Sequence, residues 1–159
     1  MMGREWKTLL NKKVPDLEVA LKEELAAGER MIHIGTDSQQ DGKVTQFVTV
    51  VVMLIPGKGG RAFYSKETVP RIKSLRERLL MEVSTSVQLG LELSQIIPDG
   101  NEMTIHVDAN PDLKFKSSQY VQELVGYVVG QGFHALAKPD AWCASHAADH
   151  VVKGMVIGR

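Results

Sequence analysis

The sequence has one cysteine, Cys143, and contains no long apolar run. A lone cysteine excludes an internal disulfide, which is typical of a protein from a reducing compartment. The longest apolar stretch, FVTVVVMLI, is too short to cross a bilayer as a helix. The first residues, MMGREWKTLLNKK, lack the apolar core of a signal peptide. We therefore expect a cytoplasmic protein with no membrane anchor.

An excess of charge of either sign is also missing. Lys plus Arg and Asp plus Glu both number 19, so the net charge at pH 7 is zero. This balance argues against bulk electrostatic capture of nucleic acid and leaves a local basic patch as the route to such binding. A length of 159 residues with 43% hydrophobic residues indicates a single domain over residues 1–159. Within it, the helical pattern of residues 16–27 predicts an N-terminal helical extension over residues 1–29.

The hydrophobic pattern then predicts five strands and three helices. Three strands come first, joined by short turns at Asp41-Gly42 and at PGKGG, and the remaining elements alternate between helix and strand. The order β-β-β-α-β-α-β-α favours an α/β fold with a mixed sheet flanked by helices. The predicted strands cover residues 31–37, 44–55, 61–69, 103–108 and 133–139, and the helices cover residues 70–97, 117–132 and 141–154.

Two of these strands end in an aspartate. Asp37 closes MIHIGTD and lies four residues after His33. Asp108 closes MTIHVD and lies two residues after His106. If the two strands are neighbours, both carboxylates lie at one end of the sheet, where α/β proteins bind ligands. A turn or capping role is the alternative for either aspartate alone.

Further acidic side chains are placed to join them. Glu82 lies on the predicted sheet-facing border of the long helix, where a carboxylate is costly unless it is paired or bound to metal. Asp149 shares a helical face with His146 and His150. Asp140 precedes this helix and is an alternate ligand or a plain helix cap.

These residues resemble a known family. The element order, with Asp in GTDSQ, Glu in MEVS, Asp in HVDAN and Asp in AADHVVK, is similar to the ribonuclease H-like fold. The fuller pattern IGTDSQ, VPR, SLRERL and KPDAWCASHAAD resembles the YkuK family of that superfamily, from residue 30 onward.

The resemblance implies a strand order of 3-2-1-4-5 and a carboxylate site for Mg²⁺ or Mn²⁺. Asp37 would bridge two ions, with Glu82 and Asp108 binding one and Asp149 the other. His146 would assist proton transfer or product release. The implied activity is hydrolysis of phosphodiester bonds in RNA, DNA or a hybrid of the two.

The candidates for substrate binding are Ser38, Asn110 and Lys138 near strand ends, and Arg76 in a local basic run beside Glu82. Two other functions remain open. One is a non-catalytic module that binds nucleic acid or protein. The other is a zinc-dependent hydrolase that acts on a small phosphorylated molecule through His33, His106, His146 or His150. His33 and His106 share the strand faces of the two aspartates, and a buried structural role is the alternative for both.

Overall fold

In this computed structural model, the structure describes residues 4–55, 57–98 and 101–144. Seven strands and three helices follow one another along these residues. The strands are β1 (Trp6–Thr8), β2 (Lys13–Val14), β3 (Met31–Asp41), β4 (Val44–Ile55), β5 (Gly59–Pro70), β6 (Met103–Val107) and β7 (His134–Ala137). The helices are α1 (Leu17–Ala26), α2 (Leu75–Ser94) and α3 (Val121–Gly130), and a 3₁₀ turn over Lys116–Tyr120 leads into α3.

The strands form one mixed sheet in the order β2-β1-β5-β4-β3-β6-β7. The strands β3, β4 and β5 pair antiparallel, whereas β6 and β7 run parallel to β3. The five strands predicted from the sequence therefore stand in the order 3-2-1-4-5, which confirms the α/β fold and the strand order.

The prediction of only five strands was wrong. Two short strands, β1 and β2, lie within the N-terminal segment that was expected to be helical. They extend the sheet beyond β5, through pairs such as Lys7 with Tyr64 and Lys7 with Lys13. Strands of three and two residues are too short to show a readable alternation. They form because β1 pairs with the edge of β5 and β2 then pairs with β1.

The central hairpins follow from local chemistry. The register pairs Asp41 with Val44, which leaves Gly42 and Lys43 as a two-residue loop. Gly42 has φ of 60°, a conformation that suits glycine in such a turn. Eleven pairs then run without interruption along β3 and β4, from Met31 opposite Leu54 to this turn. This continuous ladder sets the position of Asp37 along the sheet.

The long helix begins later than the sequence pattern predicts. Pro70 is the last residue of β5, and Ser74 caps α2 by accepting a hydrogen bond from the Glu77 N–H at 3.2 Å. Between them, the Ile72 N–H donates to Thr45 Oγ1 at 2.9 Å. This bond holds the connection against β4, so the chain stays extended beyond Pro70 before the helix starts.

The sheet has two distinct faces. The helical face carries Ile32, Ile34 and Thr36 of β3, and the side chains of α1, α2 and α3 join Ile32 and Ile34 in the main hydrophobic core. The opposite face carries His33, Gly35 and Asp37, and Cys143 and Trp142 pack there against Val50, Val52 and Ala62. No helix among the described residues is long and apolar enough to cross a membrane.

Candidate metal centre

Three carboxylates meet at one end of the sheet. Strands β3 and β6 are parallel neighbours, and their last pair is Gly35 with His106. Asp37 and Asp108 each lie two residues beyond this pair, so both side chains lie at the same end of the β3–β6 pairing, although β3 itself continues to Asp41. Glu82 reaches them from α2, and one ligand oxygen of each of the three residues lies within 4.8 Å of the others.

The position of Glu82 is set by its helix. Ser86, one turn later in α2, lies with its Oγ 2.7 Å from Thr36 Oγ of β3, and this contact holds the helix over the strand. Glu82 is 4% exposed. The Ser38 hydroxyl donates to its Oε2 at 2.5 Å. The other oxygen, Oε1, is buried and has no hydrogen-bond partner among the described residues. A buried carboxylate oxygen without a donor is costly unless a cation binds it.

The crowding of these groups changes their proton affinities. Burial, a hydrogen bond with Asp108 and the negative charge of Asp108 raise the pKa of Asp37 from 3.8 to about 7. Burial, assisted by the charges of Asp108 and Asp37, raises the pKa of Glu82 from 4.5 to about 8. The site therefore holds protons at neutral pH when no cation is bound, and a divalent ion would displace them.

Two basic side chains border the carboxylates. Lys138, which follows β7, places its Nζ 2.6 Å from Oδ1 of Asp108. The hydrogen bond with Asp108 raises the pKa of Lys138. Arg78 lies one turn before Glu82 on α2, and its Nη1 donates to Ser38 Oγ at 3.4 Å. Ser38 thus links the Arg78 guanidinium to the buried carboxylate of Glu82. Two of the four predicted substrate-binding residues, Ser38 and Lys138, therefore contact the carboxylate cluster.

The other two predicted substrate-binding residues lie elsewhere. Arg76 is exposed on α2 and donates to both carboxylate oxygens of Glu123, at 3.2 and 2.7 Å. Asn110 follows the cluster in the chain, but its Oδ1 accepts from the Asp112 N–H at 2.9 Å and organises the local loop. Their roles in substrate binding stay predictions.

Of the remaining candidates, one is described and two are not. Asp140 is exposed in the turn after β7, and its N–H donates to the Ala137 carbonyl at 3.0 Å. It does not belong to the group of three carboxylates. Asp149 and His146, with the neighbouring His150, lie outside the described residues, so the second-ion role and the proton-transfer role stay predictions.

The two strand histidines form a buried pair behind the carboxylates. His33 Nδ1 lies 2.8 Å from His106 Nε2, and the two residues are 6% and 4% exposed. His106 Nδ1 accepts from the Trp142 N–H at 3.0 Å and from the Cys143 N–H at 3.3 Å. Because Nδ1 accepts, the proton resides on Nε2 and is donated to His33. The histidines therefore hold the chain after β7 against the sheet.

Arg78 is not among the site residues predicted from the sequence. The available signal was spacing, because Arg78 precedes Glu82 by four positions and so lies on the same face of α2. Trp142 was also missed as a site neighbour. Its ring centroid lies 4.7 Å from that of His33 and 4.8 Å from that of His106.

The cluster is suited to a hard divalent cation. All three ligand side chains offer carboxylate oxygens, which favour Mg²⁺ and Mn²⁺ over softer metals. Within the described part of the chain, the group of potential metal ligands that the structure brings together contains no histidine or cysteine. The donor chemistry and the unpartnered Glu82 Oε1 both fit such an ion.

Comparisons with known proteins agree with this architecture. The family model described as ribonuclease H-like matches residues 16–153 of the chain. The chain is 28% identical to the uncharacterized protein YkuK of Bacillus subtilis (strain 168), in an alignment that covers 77% of this chain and 79% of that protein. No solved structure matched the chain. With most of its length matched by the family model, the chain belongs to the ribonuclease H-like family.

Proposed function

We propose that the protein hydrolyses phosphodiester bonds in nucleic acid with the help of Mg²⁺ or Mn²⁺. The observation that carries the proposal is the buried oxygen of Glu82, which lacks a donor among the described residues and lies within 4.8 Å of ligand oxygens from Asp37 and Asp108. An arrangement that raises two carboxylate pKa values is a cost to the folded protein, and it is typical of sites that bind a cation or act on protons.

Asp37, Glu82 and Asp108 would hold the metal. A divalent ion bound there would lower the pKa of a water molecule and stabilise the leaving oxygen of a phosphodiester. Ser38 orients Glu82 through its hydroxyl, and the Arg78 guanidinium beside Ser38 adds positive charge at the edge of the site. Lys138 lies at the surface of the cluster, where its ammonium could move from Asp108 to a phosphate oxygen.

Two residues enter the proposal only through the family resemblance. Asp149 would complete the ligand set for a second ion, and His146 would assist proton transfer or product release. We also retain the cytoplasm as the expected compartment. The substrate is RNA, DNA or a hybrid, since the three carboxylates do not themselves select among them.

The two alternatives receive different support. A non-catalytic module would keep the same carboxylates without turnover, and only an activity measurement separates it from the nuclease. A zinc-dependent phosphohydrolase receives less support from the described histidines, because His33 and His106 bond to each other and the Nδ1 of His106 accepts two backbone N–H groups. Zinc would have to displace these bonds.

The test is cleavage of labelled RNA, DNA and hybrid oligonucleotides with Mg²⁺, with Mn²⁺ and with EDTA. We expect cleavage that requires the added metal and falls by at least about 100-fold in Asp37→Asn, Asp108→Asn and Glu82→Gln. Glu23→Gln is the matched control, because Glu23 is exposed on α1 and lies on a different element. Calorimetric titration with Mn²⁺ measures metal binding separately.

The outcomes separate the hypotheses. Cleavage that persists in both Asp37→Asn and Asp108→Asn would exclude the carboxylates as its source. Metal binding without cleavage of any substrate in the panel would favour the non-catalytic module. Cleavage of small phosphorylated molecules that depends on zinc would favour the histidine-based alternative.

A further inference from the structure

A basic track lies on the opposite face of the sheet, the face that carries Asp37. It consists of Lys7, Lys13, Tyr64 and Lys66 on the strands β1, β2 and β5. The register places these side chains together, because directly paired residues project from the same face of a sheet. Lys13, Lys7 and Tyr64 are successive partners across β2, β1 and β5.

The track leads to the carboxylates. Asp37 pairs with Val48, and Val48 pairs with Lys66, so these three residues form one row across β3, β4 and β5. At about 4.8 Å per strand, Lys66 lies about 10 Å across the sheet from Asp37. Lys7 is one strand further out and is offset by two residues, because it pairs with Tyr64, which places it about 16 Å from Asp37. A bound chain could therefore contact the track and reach the carboxylates.

The side chains of the track are accessible. Lys66 and Lys13 are exposed, whereas Lys7, Tyr64 and the intervening Val48 are half-buried. A groove of about 290 Å³ is lined by Lys7, Tyr64 and Lys66 together with Glu5 and Asn11. Three lysines against the single carboxylate of Glu5 leave this region positive, in a protein whose overall charge is zero.

Tyr64 gives the track an aromatic surface. Its hydroxyl donates to Asn11 Oδ1 at 2.6 Å, which fixes the ring relative to the loop after β1. The Lys66 ammonium lies over the ring, 5.9 Å from its centroid, so a base that stacks on this face would take the place of the ammonium. A fixed ring between lysines is the arrangement that binds unpaired bases, because a base can stack on the ring while its phosphates contact the ammonium groups.

We propose that this basic track binds a single-stranded nucleic acid and guides it to the carboxylates. The inference rests on the proposed function, and it narrows the substrate to an unpaired strand or to an unpaired tail beside the cleaved bond. A duplex keeps its bases stacked inside and would leave Tyr64 without a partner. The zero net charge of the chain then matters little, since the local charge of the track supplies the attraction.

The test measures binding without cleavage. Fluorescence anisotropy in EDTA follows a labelled 12-nucleotide single strand and the corresponding duplex as the salt concentration is varied. The double variant Lys7→Gln/Lys66→Gln loses two phosphate contacts, so the slope of log K against log salt should fall in magnitude by about 1.4. The control is Lys22→Gln/Lys58→Gln, which removes the same charge from α1 and from the far turn of the β4–β5 hairpin and should keep the slope of the wild type.

A second variant separates stacking from charge. Tyr64→Leu keeps an apolar side chain against the sheet but removes the aromatic face. We expect it to weaken binding of the single strand at least about fivefold, with the salt slope unchanged. This result would identify a contact with the bases, which a merely electrostatic surface cannot produce.

Three results would contradict the proposed role of the track. The first two are equal salt slopes in the two double lysine variants and tighter binding of the duplex than of the single strand. The third is competition by polyglutamate that is as effective as competition by unlabelled single strand, which would indicate an acidic protein partner. Failure of the track is distinguishable from failure of the nuclease. If binding in EDTA depends on the track but no cleavage occurs in Mg²⁺, the nuclease proposal is wrong and the track proposal is supported. If cleavage is the same in the wild type and in these variants, only the track proposal is wrong.

Discussion

The ammonium nitrogen of Lys138 lies 2.6 Å from Oδ1 of Asp108, so the chain places a cation of its own against the carboxylate cluster. Lys138 follows β7, and Asp108 follows the parallel neighbour β6, so this contact joins two adjacent strand ends. A divalent ion and this ammonium would compete for the same carboxylate charge. We therefore expect Lys138 to lower the affinity of the site for a divalent ion.

Removal of this cation should tighten metal binding. In Lys138→Met, we expect the affinity for Mn²⁺ at pH 8.5 to rise about three- to tenfold, because a positive charge beside the metal ligands has been removed. Isothermal titration calorimetry measures the change. Arg76→Met is the control, since Arg76 is paired with Glu123 and should leave the affinity unchanged. Unchanged or weaker binding by Lys138→Met would show that the ammonium does not compete with the ion.

The stability of the metal-free protein should fall as pH rises through neutrality. The raised pKa values of Asp37, about 7, and Glu82, about 8, mean that the folded protein holds protons that the unfolded chain has released above its ordinary carboxyl pKa values. The unfolded state then binds fewer protons, so the free energy of unfolding decreases between about pH 4 and pH 8. Thermal unfolding in EDTA across this range measures the decrease.

The matching variant is Glu82→Gln, whose neutral side chain cannot ionise. Its unfolding temperature should vary less with pH over this interval, and added Mg²⁺ should stabilise it less than it stabilises the wild type. In the wild type, Mg²⁺ should raise the unfolding temperature more at pH 8 than at pH 6. An equally steep pH dependence in Glu82→Gln would assign the slope to other groups.

Much of this architecture was predictable because the relevant signals are local. Alternation along β3, the Asp-Gly turn and the helical spacing of α2 fix three elements, and the parallel crossover then brings Asp37 beside Asp108. Glu82 was identifiable because a carboxylate at the buried border of a helix needs a partner. These inferences depend on residues that are close in sequence, with only one long-range step.

The parts that escaped prediction depend on long-range contacts. The strand β1 pairs with the edge of β5 and β2 pairs with β1, and neither short strand has a pattern of its own. The link from Arg78 to Glu82 passes through Ser38, which is 40 residues earlier than Arg78. The two histidines of the buried pair, His33 and His106, are 73 residues apart in the sequence, and His106 also accepts a hydrogen bond from the Trp142 N–H. Periodicity does not encode such contacts.

The histidine pair should contribute to stability through the backbone groups that it accepts. His106→Leu leaves the N–H groups of Trp142 and Cys143 without this acceptor, and we expect it to lower the free energy of unfolding by about 2 kcal/mol. Urea denaturation measures the loss. His134→Leu is the matched control on the next strand, where the side chain is exposed and the change should stay within about 0.5 kcal/mol. Equal losses in the two variants would contradict the structural role of the pair.

Gly35 marks a close approach between β3 and the chain after β7. A Cβ at this position would lie 2.9 Å from the Cys143 Cβ and 3.0 Å from the Ala144 nitrogen, so one of the two segments must move. Gly35→Ala should therefore lower the free energy of unfolding by about 1–3 kcal/mol. Because Gly35 is the β3 partner of His106, the displacement should also weaken Mn²⁺ binding at the adjacent carboxylates.

Gly126→Ala provides the opposite case in the same protein. Gly126 lies exposed in α3, and a Cβ there meets no atom within 4 Å. Alanine should therefore stabilise the helix, with a gain of up to about 1 kcal/mol. Urea denaturation of both variants, with calorimetric titration of Mn²⁺ for Gly35→Ala, separates crowding from intrinsic helix propensity. If Gly35→Ala is as stable as the wild type, residues 143–144 can shift without a cost in free energy. The close packing of this segment on β3 would then not hold Asp37 and Asp108 in place.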